Sequence, residues 1–340
     1  MDNPSIQIVS DTPAVINPGR VYIMSLASAE SRRVMKHGLK TVASILLSCD
    51  PSEIDDLTLF QLGWSQLHYE HTQAVRAQLL QTGLKASSIN RVLAALRGVL
   101  KESWRLGEIT AEQYQRAVDI RNVKGDTVPA GRSVSFDEIK AIVDACLRDE
   151  RPGVGARDAA IMAVLYAAGL RRAEISGLDF ENYVGNCDEG DGRIRVLGKG
   201  NKERDVFIAG TAKQALDRWV VFRGDEAGAM FLPSSPNGII LHTRSNGSEA
   251  RITPQTVYSI LLRRAAEAGV DNITPHDMRR TMAGDMLDNG IDLATVQKFM
   301  GHSSPTTTSN YDRRGDKAKQ NAAVSMDFPY PDNKKEQYDE

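Results

Sequence analysis

Residues 193–208 read RIRVLGKGNKERDVFI, and the fold class follows from them and from what surrounds them. Arg193-Ile194-Arg195-Val196 and Asp205-Val206-Phe207-Ile208 are short β-favouring runs on either side of Gly198-Lys199-Gly200-Asn201. Two such runs around a Gly/Asn turn predict an antiparallel hairpin with Lys199 at or near its tip. Outside this stretch the apolar period lengthens to that of helices. Before it, helices are expected near Ser135–Leu147 and over Arg157–Ala168; after it, over Gly210–Arg223, Thr253–Ala268, His276–Asn289 and Leu293–Met300. The expected class is therefore mainly α with a small antiparallel β-sheet.

Further towards the N-terminus, GDTVPAGRSVS at 125–135 loses all periodicity and leads into Ser135-Phe136-Asp137-Glu138, a capping box that starts a helix. The expected organisation is a tail over 1–19, a helical domain over 20–125, a linker over 126–134 and a second domain with a C-terminal tail over 135–340. In the first domain Val34, Leu39, Val42, Ile45 and Leu46 recur at helical steps, while Arg32, Lys36 and Lys40 share one stripe with no acid between Glu30 and Asp50. A second acid-free stretch, His71–Lys101, carries Arg76, Lys85, Arg91, Arg97 and Lys101. One such stripe is usually a solvated face. Two together suggest a phosphate-facing surface, with Arg32, Lys36, Lys40, Lys85, Arg91, Arg97 and Lys101 as its candidates.

Composition sets the outer limits. The 340 residues hold 42 Lys+Arg against 44 Asp+Glu, and 41% are hydrophobic, which excludes wholesale disorder. The net charge of −2 hides a mild asymmetry of +1 over residues 1–130 and −3 over the rest. Cys49, Cys146 and Cys187 form no CxxC pair, so neither a disulfide framework nor a thiolate zinc site is expected. No run of about 18 apolar residues occurs, and the N-terminus lacks a basic segment followed by an apolar one. A cytoplasmic protein without a membrane span is the expectation. Gly198-Lys199 does not extend to a Walker loop, because Arg193 and Gly200 stand where Gly and Ser/Thr are required. His68 and His71 have no third ligand nearby and are not assigned to a metal.

What remains is an ordered set in the second domain. Gly169-Leu170-Arg171-Arg172-Ala173-Glu174 ends the apolar helix and carries an Arg, and an acid three residues on could hold its guanidinium. Thr274-Pro275-His276-Asp277-Met278-Arg279-Arg280 places His276 and Arg279 on one helical face. Phe299-Met300-Gly301-His302 closes a helix, and Tyr311 follows. Each fragment alone has an ordinary structural explanation, as dipole complement, cap or packing.

Together these fragments make the chain resemble the tyrosine recombinases, or phage integrase family, and within it the Xer-type recombinases and mobile-element integrases. The similarity covers roughly Ser28 to Arg313 and rests on ARDAAIMAVLYAAGLRRAEISGLD at 156–179, VLGKGNKER at 196–204, TPHDMRRTMA at 274–283 and VQKFMGHSSPTTTSNY at 296–311. In the first half, SSINRVLAALRGVLKESWRLG at 87–107 is similar to a helix of the family's core-DNA-binding domain. The resemblance implies a two-domain clamp, with catalytic residues Arg171, Lys199, His276, Arg279, His302 and Tyr311 and Glu174 in support. It also implies cleavage and rejoining through a 3′-phosphotyrosine without ATP, metal or other cofactor. The implied partners are double-stranded DNA with paired recombination sites and three further protomers of this chain or of a related recombinase. The implied location is the cytoplasm, on the nucleoid. The tail residues Val324, Met326 and Phe328 would dock on a neighbour. A type IB topoisomerase and a non-catalytic DNA-binding regulator are the rival readings.

Overall fold

The computed structural model describes residues 17–125, 131–185, 191–198 and 202–301. Contacts divide the chain into two compact units between residues 128 and 129.

The first unit holds helices α1 (Pro18–Ser25), α2 (Ala29–Leu47), α3 (Asp56–Gln61), α4 (Tyr69–Gln81), α5 (Ala86–Arg105) and α6 (Ala111–Val118). Short polar side chains start several of them: Ser28 caps α2, Asp55 caps α3, and Thr110 with Gln113 forms a capping box on α6. His71 accepts the His68 backbone N–H through Nδ1 at 3.0 Å, so this pair serves the start of α4. Leu39 and Val42 of α2 pack on Leu93, Leu96 and Leu100 of α5, with Trp64 fully buried beside them.

The second unit runs α7 (Phe136–Leu147), α8 (Pro152–Tyr166), α9 (Arg172–Gly177), β1 (Tyr183–Val184), β2 (Gly192–Leu197), β3 (Glu203–Ile208), α10 (Gly210–Arg223), α11 (Pro254–Glu267), α12 (Pro275–Asp288) and α13 (Leu293–Met300). The strands form one antiparallel sheet in the order β1-β2-β3, with Ile194 opposite Val206 and Val196 opposite Arg204. The predicted hairpin is thus formed by β2 and β3, and Gly198 N–H donates to Lys202 O at 2.8 Å where it closes.

One boundary is corrected. Helix α8 starts at Pro152, five residues before Arg157, because Pro sits without penalty in the first turn and Gly155 lies against the Cys146 carbonyl, where a Cβ would come within 2.5 Å. At its other end α8 stops at Tyr166, Gly169 takes φ +58°, and Arg171 becomes the N-cap of the separate helix α9.

Helix α8 is buried nearly all round and forms the spine of the second core, with Trp219 and Phe231 packed into the same cluster. Arg157 and Asp158 of the ARD stretch are part of this scaffold. Asp158 is fully buried and accepts from Arg157 Nη2 at 2.8 Å, Arg263 Nη2 at 2.7 Å and Arg264 Nε at 2.9 Å, which ties α8 to α11.

Candidate active site

Arg171 is placed by its own motif. Its backbone N–H donates to Glu174 Oε2 at 2.9 Å, which starts α9, and its Nη1 donates to Glu174 Oε1 at 2.7 Å. The same carboxylate receives Arg204 Nη1 at 3.0 Å and Nη2 at 2.9 Å, so one buried acid is held between two guanidiniums. Burial alone would raise the Glu174 pKa. Hydrogen bonds from Arg204 and from the Arg171 backbone, with both positive charges, outweigh it and hold the carboxyl below its usual range.

The end of α13 gathers these groups. Its last carbonyls have no helical partner, and three successive ones each receive a different arginine. Arg204 Nε donates to Phe299 O at 3.2 Å, Arg279 Nη2 donates to Met300 O, and Arg171 Nη2 reaches Gly301 O at 3.5 Å. Gly301 adopts φ +62° to end the helix, and a Cβ there would stand 3.0 Å from Arg204 Cδ. The residue after Gly301 is His302, so the helix terminus that collects the arginines delivers the chain directly into the third motif.

Helix α12 contributes His276 and Arg279. Thr274 caps it and Asp277 reaches back, accepting from Thr274 N at 2.8 Å and Oγ1 at 2.7 Å. The other Asp277 oxygen accepts Arg132 N–H at 2.9 Å, and Val134 N–H donates to Thr281 Oγ1 at 2.9 Å, so the segment entering the second unit is fastened to α12. Arg279 is buried and also donates through Nη1 to Gly169 O, the carbonyl of the turn that presents Arg171. His276 is exposed as a residue, yet partial burial of its ring and the positive charges of Arg279, Arg280 and Arg171 lower its pKa against the opposing pull of Asp277. Its imidazole is therefore neutral at pH 7, able to accept a proton.

An open depression of about 300 Å³ lies over this site, lined by Arg171, Arg172, Tyr258, Thr274, Pro275 and His276. With a single carboxylate set between Arg171 and Arg204, and Arg279 and Arg172 beside them, the site carries surplus positive charge. Fixed guanidiniums of this kind suit a phosphate bearing charge on two oxygens.

The structure thus brings Arg171, Glu174, His276 and Arg279 together. Lys199, His302 and Tyr311 lie outside the described residues, as do Val324, Met326 and Phe328 of the tail. Sequence reasoning missed Arg204, although a signal was present. Positions 204, 206 and 208 of β3 share the core-facing side of the strand, so an arginine among Val206 and Ile208 demands buried partners.

The basic positions of the first unit separate into two groups. Lys36 pairs with Asp56, whose other oxygen lies 3.9 Å from Lys40, so α3 supplies the acid that the α2 sequence lacks. Arg32 donates to Leu26 O at 2.8 Å, and Arg97 donates to Ile120 O and Asn122 Oδ1, fastening the segment after α6. Lys85, Arg91 and Lys101 are exposed and make no ion pair among the described residues. Arg91 also borders a groove of about 430 Å³ between α2 and α5, together with Arg33, His37 and Ser88.

The chain matches the phage integrase family over residues 132–317. It is 30% identical over 285 residues to the tyrosine recombinase XerC of Vibrio atlanticus (strain LGP32), spanning 84% of this chain and 82% of that protein. To XerC of Vibrio cholerae serotype O1 (strain M66-2) it is 32% identical over 261 residues, spanning 74% and 76%. Among solved structures, the XerH site-specific recombinase bound to palindromic difH superposes with a TM-score of 0.63 at 17% identity, over 92% of this chain and 95% of that one. The Tn1549 transposon integrase in complex with transposon right end DNA gives 0.63 at 15% identity, over 92% and 99%. The mainly helical fold with its small antiparallel sheet is the fold of those proteins, and the sequence match over both units shows that this chain belongs to the phage integrase family, the tyrosine recombinases.

Proposed function

We propose that this site-specific recombinase cuts and rejoins DNA through a covalent 3′-phosphotyrosine on Tyr311. The observation that carries the reading is the convergence of Arg171 and Arg279 on successive carbonyls of α13, one residue before His302. The phenol oxygen of Tyr311 attacks phosphorus as the bond to the 5′-oxygen breaks. Its proton passes to neutral His276, and the Lys199 ammonium protonates the leaving 5′-oxygen, which becomes a free hydroxyl. Arg171 and Arg279 bind the non-bridging oxygens as charge builds on them, with a hydrogen bond from His302. The phosphotyrosine retains the bond energy of the phosphodiester, so attack by a 5′-hydroxyl of a partner strand rejoins DNA without ATP. The cationic groups supply the charge stabilisation that a metal would otherwise provide.

The first unit, over about 20–125, serves as the core-DNA-binding domain, joined through the 126–134 linker to the catalytic domain over 135–340. Lys85, Arg91 and Lys101 are its phosphate contacts, and Lys36 and Lys40 join them when Asp56 is displaced by the stronger phosphate field. Four protomers act on two paired sites in the cytoplasm, with the tail after Tyr311 docking on a neighbour. The test is covalent trapping on nicked duplexes from a randomised library. A recombinase yields a site-selective adduct, a topoisomerase relaxes any supercoiled plasmid, and a regulator binds without forming an adduct.

A further inference from the structure

Arg204 belongs to none of the six positions assigned to the reaction, yet its side chain is only 13% exposed and touches two of the other motifs that carry them. It stands on β3, two residues beyond Lys202, whose carbonyl closes the hairpin against Gly198 next to Lys199. Its two terminal nitrogens form a bidentate fork on Glu174, the acid that holds Arg171. Its Nε donates to Phe299 O near the end of α13, and its Cδ, Nε and Cζ line the place where any side chain on Gly301 would have to go.

The consequence for Arg171 follows from hydrogen-bond arithmetic. Glu174 alone could swing between rotamers while keeping one bond to Arg171. With Arg204 occupying one lobe on each oxygen, the carboxylate plane is fixed, and the Arg171 guanidinium is fixed with it. Arg204 cannot be replaced here by lysine with equal effect, since a single ammonium reaches neither both oxygens nor the Phe299 carbonyl at once. All three of its nitrogens are engaged by Glu174 and Phe299, so Arg204 acts on the site through these partners.

We propose that Arg204 is a positioning residue of the recombination reaction: through Glu174 it orients the Arg171 guanidinium for the scissile phosphate, and through Phe299 it locks the hairpin strand to the end of α13. The proposal rests on the function proposed above. Its effect is on the chemical step, with DNA binding left nearly intact.

The experiment compares wild type, Arg204→Ala and Arg204→Lys in single-turnover cleavage of a nicked duplex selected by wild-type trapping from the randomised library. Two forms of that duplex are used: one with the native scissile phosphate and one with a methylphosphonate there. The methylphosphonate lacks one charged oxygen and so relieves the need for a well-placed guanidinium. The expected result is a cleavage rate on the native duplex about 100-fold lower for Arg204→Ala and about 10-fold lower for Arg204→Lys, with affinity changed less than threefold. On methylphosphonate the Arg204→Ala deficit relative to wild type shrinks at least tenfold. Equal deficits on the two duplexes would overturn the proposal, as would wild-type cleavage by Arg204→Ala. If Arg204→Ala does not fold, as read by thermal melting, the same two-duplex comparison is made with Arg204→Lys, and a deficit that fails to shrink is again contrary. Failure of wild type to form any adduct would instead refute the function on which the proposal rests.

Discussion

At the residue scale, His276 and Glu174 both have lowered pKa values, and both make the site sensitive to acid. The lowered pKa of His276 means that the proton-accepting form prevails down to a pH below its ordinary 6.5. The cleavage rate should therefore fall only as pH drops through that depressed value, and the acid limb should vanish in His276→Ala. Single-turnover rates across pH 5–8 test this; a limb unchanged in the variant would assign the proton to another group. In stability the sign is worked the same way. The unfolded chain protonates His276 first, so this contribution is present above 6.5 and lost as pH falls towards the folded value. Glu174, held below 4.5 by Arg204 and Arg171, adds stability present above 4.5 and lost as pH falls through its own depressed pKa. Arg171→Lys gives up the planar guanidinium that bonds Glu174 through Nη1 and would grip the phosphate, and its cleavage rate should drop on the order of 100-fold, as for loss of one preorganised donor. Arg171, His276, Arg279 and the acid at 174 were legible because their spacing is local. Strand alternation marks Arg204 as needing buried partners but not which ones, since they lie 30 and 95 residues away.

At the element scale, helix ends decide the geometry. Gly301 is in the left-handed region, where a Cβ costs about 1–2 kcal/mol, and it also abuts Arg204. Gly269 shares that conformation, φ +70°, but has open space where a Cβ would lie. Both Gly→Ala variants should lose similar stability in urea unfolding, while only Gly301→Ala should lose cleavage. A matching loss in both would deny the α13 terminus its role. Asp158 is a sharper test of scaffold, since removing one partner from a buried ionic cluster costs about 3–5 kcal/mol; Asp158→Ala should therefore shift the unfolding midpoint strongly. The hairpin and the Ser135 capping box could be read from sequence because turn residues and caps act over four residues or fewer. The early start of α8 could not, since Pro152, Gly153 and Gly155 read as loop until the Cys146 carbonyl is placed against them.

At the scale of the whole molecule, a chain of net charge −2 must bind DNA through a local surface. Affinity should fall steeply with salt, and Lys85→Ala, Arg91→Ala and Lys101→Ala should each lower the slope of log K against log salt by about 1. Arg97→Ala should leave that slope nearly unchanged and lower stability instead, because its guanidinium is committed to Ile120 and Asn122. Fluorescence anisotropy over a salt series separates the two outcomes. The division of contacts at residues 128 and 129 falls within the stretch 125–135 that loses periodicity, whereas the pairing of Lys36 and Lys40 with Asp56 has no sequence signal, because it depends on how α3 packs.

The proposed mechanism joins Tyr311 covalently to DNA. Wild type and Tyr311→Phe incubated with the nicked library should differ in one respect: wild type gives an SDS-resistant, protease-sensitive adduct at a defined sequence, and the variant binds that sequence without an adduct. An adduct that persists in Tyr311→Phe would contradict the assignment of the nucleophile, and tight, site-selective binding by wild type with no adduct at all would contradict the catalytic account as a whole.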